Sequence, residues 1–196
     1  MSGERRSGLR ERKKLEAWYT LRAEAFRLFA ERGYETVSVE DIAAAANMSR
    51  STFFNYFASK DAVVLDPEPG ERDQWLTLFD RPADEPLWDS LVELLLGYAK
   101  QISGHLTTVK QLERHSPALG EMALARTHPF YRDLRDWVDS RTKPGAELES
   151  ALVLNVALAA AETAYSRWEP TVDFAEFLRT ALECLERAGA GVARRG

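Results

Sequence analysis

The chain has 196 residues, 45% of them apolar and 29% charged, a globular composition that excludes a disordered or collagen-like polypeptide. A single cysteine, Cys184, excludes both an intrachain disulfide framework and a cysteine-based zinc site, and fits the reducing cytoplasm. The net charge of −5 is unevenly spread: the first 60 residues carry 11 Lys and Arg against 8 Asp and Glu, the remainder 15 against 23. A basic N-terminal part on an acidic body points to polyanion binding by one end of the molecule.

The N-terminus is polar and basic with no apolar stretch behind it, so no signal peptide is read there. The most apolar run, Ala151 to Ala161, is interrupted by Asn155. It falls well short of the roughly 18 apolar residues a spanning helix needs. The expectation is a soluble, cytoplasmic protein with no membrane partner.

Helical signals dominate throughout, with no period-2 run of β-branched residues and no Asn-Gly hairpin. Residues 1–13 read as a flexible basic arm, with Arg5, Arg6, Arg10, Arg12, Lys13 and Lys14 diluted by Glu4 and Glu11. Such an arm either tracks DNA phosphates and the minor groove or serves as a solubilising tail. A first helix is predicted from Lys14 to Arg32, with Trp18, Leu21, Ala25, Leu28 and Phe29 on one face. Gly33 supplies a left-handed end, and Tyr34 an apolar partner folding back on it.

Ser38 opens a short second helix, with Asp41 three residues on to complete a capping signature. Ile42 and the alanines Ala43 to Ala46 make it compact. Asn47 tolerates the left-handed backbone of a tight turn. Met48 reads as an apolar plug, and Ser49 caps a third helix from Arg50 to Phe57. Two short helices joined by such a turn make a helix-turn-helix. Phe53, Phe54 and Phe57 are assigned to the core, with contact to a thymine methyl as the alternative for Phe54. Ser59 caps a fourth segment running to Leu65, broken by Pro67, Pro69 and Gly70.

Beyond it, helical stretches are predicted at 71–79, 87–103, 106–116, 118–141 with a break near Pro129, 147–168 and 173–188, with Gly189 ending the last. The fold class is therefore all-α. Residues 14–65 are expected to form a DNA-binding domain of three helices with the helix-turn-helix, and residues 66–196 a second helical domain.

The stretch from Phe29 to Asp61, FAERGYETVSVEDIAAAANMSRSTFFNYFASKD, resembles the N-terminal domain of the TetR family of bacterial regulators. The resemblance rests on the Gly-aromatic end of the first helix, Ser38-Val39 before Ile42-Ala43, and Ser49 opening the third helix. Thr52-Phe53-Phe54 and Phe57-x-Ser59-Lys60 complete it. It covers about a quarter of the chain. Asn47 stands where the family has glycine, Phe54 where it has tyrosine and Tyr56 where it has histidine, so the hydroxyl contact to phosphate is absent from Phe54 or moved to Tyr56.

In such a motif the third helix enters the major groove and the second lies across the backbone. Its available polar groups are Arg50, Ser51, Thr52, Asn55 and Tyr56, with Arg50 suited to guanine and Asn55 to adenine. The resemblance implies phosphate contacts from Ser38, Ser49, Tyr56 and Lys60. The serines would equally be expected as plain helix caps. One motif covers few base pairs, so specific binding implies a homodimer on a near-palindromic double-stranded operator. The interface is assigned to Leu152, Val156 and Ala160 on one helix, and to Phe177, Leu178 and Leu182 on the last. The resemblance also implies a small-molecule effector, here apolar or aromatic. Trp88, Tyr98, His105 and His115 are candidate pocket residues, together with Tyr131, Tyr165 and Trp168.

The rival reading is a small helical enzyme or carrier of a hydrophobic molecule, with the helix-turn-helix used for protein interaction. The three histidines, His105, His115 and His128, make no His-x-x-x-His pair and no Glu-x-x-His motif. No phosphate-binding glycine loop or nucleophile elbow occurs. No metal, cofactor or catalytic residue is therefore assigned.

Overall fold

A computed structural model describes residues 2–114, 116, 119, 128–169, 171 and 173–193, and among these there is no strand. They fall into two compact units, residues 1–69 with 111–123, and residues 70–110 with 124–196. The boundary lies after Pro69 rather than after Leu65. The inclusion of 111–123 in the first unit is a long-range feature that no local pattern announces.

In the first unit, helix α1 spans Ser2–Arg32. It starts at Ser2 rather than near Lys14 because Glu, Arg, Lys and Leu, all good helix formers, outweigh Gly3 and Gly8. The residues read as a flexible arm are thus helical backbone. Leu21, Ala25, Leu28 and Phe29 are buried at the predicted three-four spacing. Gly33, at φ 82°, ends the helix, and its N–H reaches the Phe29 carbonyl at 2.9 Å. Tyr34 folds back so that its ring lies 5.0 Å from that of Phe29.

Arg22 is buried, with its guanidinium 4.7 Å over the Trp18 ring and Nη2 donating to the Val64 carbonyl at 3.4 Å. It thereby ties α1 to α4, Ala62–Leu65, whose Val63 and Val64 are fully buried. From the distant part of the unit, Leu112 and Leu119 are buried. The Ser116 hydroxyl donates to the Glu35 carboxylate, and this bond leads the effects that hold Glu35 below the usual carboxylate range.

The second unit contains α5 (Glu71–Leu76), a 3-10 turn at Thr77–Phe79, α6 (Leu87–Gln101) and most of α7 (Ser103–Glu113). It continues with α8 (Pro129–Arg141), α9 (Glu147–Arg167) and α10 (Phe174–Ala193). Of the stretch predicted as helix over 118–141, Leu119 and residues 128–141 are described, with a helix from Pro129 onward that the His128 ring caps by accepting the Phe130 N–H at 3.2 Å. Residues 120–127 lie outside the described part.

Helix α9 packs along α10 and α6. Between the helices, Trp75, Leu91, Leu94, Phe130, Leu134, Leu158 and Leu185 form the main core, while Ala164, Trp168, Phe177 and Ala181 form a second cluster. Gly189 does not end the last helix, which runs on to Ala193. Its role is close approach: a Cβ there would lie 2.3 Å from Trp88 Nε1 of α6. Asp133 is buried beneath the core edge. It accepts from Arg72 through both oxygens, at 2.9 and 3.0 Å, and from the Trp75 indole at 3.0 Å. The Arg72 hydrogen bond is the main cause of its carboxyl titrating below the usual range.

Candidate nucleic-acid interface

Helix α2 covers Val39–Ala45, and Ser38 is its cap in extended backbone, φ −93° and ψ 165°. The Ser38 hydroxyl accepts the Asp41 N–H at 3.0 Å while the Asp41 carboxylate accepts the Ser38 N–H at 2.9 Å, a complete capping box. The Ser38 hydroxyl also donates to the Asp41 carboxylate, and this bond, followed by the one from the Ser38 N–H, keeps Asp41 below the ordinary carboxylate range. Ile42, Ala43 and Ala46 are buried, whereas Ala44 and Ala45 face outward. Asn47 takes φ 55°, the left-handed turn expected of it, and lets the Met48 N–H reach the Ala43 carbonyl at 2.8 Å.

Helix α3 is short, Arg50–Phe54, with Asn55 and Tyr56 in the turn that follows instead of inside the helix. Ser49 caps it, accepting the Thr52 N–H at 3.0 Å. The Ser51 and Thr52 hydroxyl oxygens each lie 2.8 Å from that of Ser49. Phe53 and Phe57, four residues apart, turn inward and are almost fully buried, with rings 5.6 Å apart and Phe57 5.4 Å from Trp18. The opposite side is thereby fixed outward. Arg50, Ser51, Phe54 and Asn55 are exposed, and Thr52 and Tyr56 are half-buried. Phe54 is not the core residue assigned to it. It is 42% exposed, because the i, i+4 pair beside it has taken the inward face.

Two of the cationic candidates already have partners. Arg50 Nε lies 2.5 Å from the Glu40 carboxylate, and the guanidinium sits 4.8 Å over the Phe54 ring. Both partners of that pair are well exposed, so its contribution to stability is small. Lys60 is more firmly held. Its ammonium donates to the Tyr34 carbonyl at 2.7 Å and the Val37 carbonyl at 3.0 Å, and lies 4.0 Å from the Tyr34 ring centre. Burial lowers its pKa. The structure places Lys60 as a staple of the loop between α1 and α2, not as a side chain extended toward phosphate.

The effector candidates do not converge on one place. Tyr98 is buried in the main core, its ring stacked 3.7 Å from Phe130 and its hydroxyl 3.1 Å from His128 Nδ1. Burial is the first cause that raises its pKa, and Glu71 the next. Tyr131 borders the same core, 5.6 Å from Phe130, and Trp88 is packed against Gly189. Trp168 belongs to the other cluster with Phe174 and Phe177, and Tyr165 receives the Lys110 ammonium 4.5 Å from its ring centre. His105 is half-buried, and His115 lies outside the described residues. Sequence reasoning passed over Glu71, Arg72 and Asp133, whose ion pairs and hydrogen bonds link α5 to later helices. Among the described residues no cluster of three or more His, Cys, Asp or Glu is arranged to hold a metal.

Of the six interface candidates, Ala160 and Phe177 face inward and fill their own unit's core, and so offer no surface. Leu152 is 57% exposed and Leu182 also faces out, with Val156 and Leu178 half-buried. Leu148, 76% exposed and one turn before Leu152, belongs with them and was missed. Its phase along α9 was the available signal. The helix is not apolar all round for one purpose: 154, 157, 158 and 164 face inward, while 148, 151, 152, 155 and 159 face outward.

Comparison with known proteins agrees with the motif. Residues 21–66 match the profile of bacterial regulatory proteins of the tetR family. The chain is 42% identical over 79 residues to the HTH-type transcriptional regulator TcmR of Streptomyces glaucescens, covering 40% of this chain and 35% of that protein. It is 41% identical over 73 residues to the regulator EthR of Mycobacterium tuberculosis, covering 34% of each. These matches span about a third of the length of those relatives. Two solved structures share the fold. A tetR-family regulator from Streptomyces coelicolor is 23% identical with TM-score 0.50, the alignment covering 92% of this chain and 83% of that one. FadR from Bacillus halodurans is 18% identical with TM-score 0.54, covering 86% and 94%. The segment that matches this family profile, residues 21–66, is the one that carries the capped helix-turn-helix, and there the chain is similar to bacterial regulatory proteins of the tetR family.

Proposed function

We propose that the protein is a transcriptional regulator that binds a near-palindromic DNA operator as a homodimer and is released by a small apolar or aromatic effector. The observation that carries the DNA reading is the outward face of α3. Arg50, Ser51 and Phe54 stand exposed on a helix whose other face is pinned by Phe53 and Phe57, with Asn55 exposed in the turn just past its end. Donor and acceptor side chains on a rigid helix are what the major groove reads. Ser38, Ser49 and Tyr56 flank that face and serve as phosphate contacts that set its register.

The apolar stripe of Leu148, Leu152 and Leu182, left uncovered by the chain's own core, supports self-association. Two recognition helices would then meet half-sites about 34–36 Å apart. Effector and operator oppose each other through linkage, each favouring a different state of the dimer. No helix among the described residues is long and apolar enough to cross a membrane.

The decisive experiment is selection of bound fragments from genomic DNA by the purified protein, followed by mobility shift over a range of salt. Specific binding whose affinity falls steeply with salt is the expected outcome. Failure to enrich any fragment defeats the proposal. Sedimentation of the apo-protein at micromolar concentration tests the dimer, and Leu152→Glu should shift it to monomer.

A further inference from the structure

The outer face of the helix-turn-helix carries one feature that neither capping nor core packing explains. Phe54 is one of only a few large apolar side chains exposed among the described residues, and it projects from the helix that faces DNA in the reading above. A phenyl ring has no donor for a phosphate. Arg50, one turn earlier on the same face, lays its guanidinium over that ring at 4.8 Å. Its Nε end is held by Glu40 of α2 at 2.5 Å. An arginine so held keeps the paired terminal nitrogens for a bidentate acceptor, and stacking on the ring limits the rotamers it must give up on binding.

The major groove offers matching partners. Guanine presents N7 and O6 together, the acceptor pair a guanidinium fork fits, and thymine alone among the four bases presents a methyl group. Side chains four residues apart on a helix stand about 5–6 Å apart at Cβ. Successive bases on a strand rise about 3.4 Å. The two side chains therefore reach bases no more than two steps apart.

We infer that Arg50 and Phe54 act as a single reader of a thymine and a guanine within two base pairs of each other in each half-site, with Glu40 as the positioning residue for Arg50. This rests on the DNA-binding reading given above.

The test uses the full-length protein and the shortest duplex recovered by genomic selection, with affinity followed by fluorescence anisotropy. Each thymine is replaced in turn by deoxyuridine, which removes only the methyl group. Each guanine is replaced by 7-deazaguanine, which removes only N7. Per half-site, one uracil substitution should weaken binding about fourfold, the worth of one buried methyl. One deazaguanine within two base pairs of it should weaken binding about fivefold or more.

In Phe54→Ala the uracil penalty should vanish and the deazaguanine penalty should shrink, because Arg50 loses the ring it stacks on, whereas in Arg50→Ala the deazaguanine penalty should vanish. Phe54→Leu, which keeps an apolar contact, should retain part of the uracil penalty. Glu40→Gln should reduce the deazaguanine penalty with no loss of helix content by circular dichroism, which a merely structural role would not do. A duplex indifferent to every uracil substitution, or a penalty unchanged in Phe54→Ala, overturns the inference while leaving the regulator intact. Recovery of no duplex at all removes the regulator reading and this inference with it.

Discussion

Lys60→Ala separates two roles for one side chain. In the structure its ammonium closes the loop between α1 and α2 through two carbonyls, those of Tyr34 and Val37. Charge-assisted bonds of this kind contribute about 1.5–3 kcal/mol each when sheltered. Lys60 is only partly buried, so solvent screening cuts that sum severely, and water can reach the carbonyls once the side chain is gone. Freeing the side chain also returns about 1.5–2 kcal/mol of rotamer entropy. The net loss should be about 1–2 kcal/mol, read as a fall of roughly 2–8 °C in Tm for a chain of this size. The paired assay is the slope of operator affinity against salt. A staple leaves the slope of the folded variant unchanged, whereas loss of a phosphate contact lowers it by about 0.9 per subunit. An unaltered Tm together with a shallower slope would show that the ammonium points to DNA and that the loop closes without it.

Three further outcomes follow from single residues. Asn47→Ala forces a Cβ-bearing residue without a local polar side chain to hold φ 55°, and should cost about 1–2 kcal/mol in urea denaturation, while Asn47→Gly should be neutral or slightly stabilising. Gly189→Ala would put a methyl 2.3 Å from the Trp88 indole, so overpacking of about 1–3 kcal/mol should exceed the gain of about 1 kcal/mol in helix propensity. Gly104→Ala meets nothing within 4 Å and should stabilise, so shifts of the same sign in both variants would contradict the packing. Asp133 has a folded pKa depressed chiefly by Arg72, so its contribution is complete above its unfolded pKa of about 3.9 and is lost as pH falls through the folded value. Asp133→Asn should therefore lower Tm at pH 7 and leave a flatter dependence below about pH 4, and a parallel acid profile in both proteins would speak against the ion pair.

What could be read from sequence was whatever depends on neighbours along the chain. Ser38 with Asp41, Ser49 with Thr52, and Gly33 with Tyr34 are contacts between residues a few positions apart, and their residue types announce them. The inward phase of Phe53 and Phe57 was equally visible, and it should have turned Phe54 outward. What could not be read depends on partners far away in the chain. Gly189 looks like a terminator until Trp88 is seen against it. Lys60 looks like a free cation until its two carbonyls are placed. Ala160 and Phe177 share their helices with exposed leucines, and only the packing of α9 on α10 tells the inner face from the outer. Asp133 finds Arg72 and Trp75 across some sixty residues of chain, a pairing without a motif.

The brevity of α3 has a consequence for the thermodynamics of any encounter it makes. Five residues are too few to hold a helix in water unaided. This one is kept by the Ser49 hydroxyl at its start and by two phenylalanines sunk beneath it. Its ordering is thus settled when the N-terminal unit folds. A ligand that docks on it meets a finished surface, so the heat-capacity change on binding should reflect the area covered and carry no added signature of coupled folding. Calorimetry at several temperatures would then report the footprint of the contact directly.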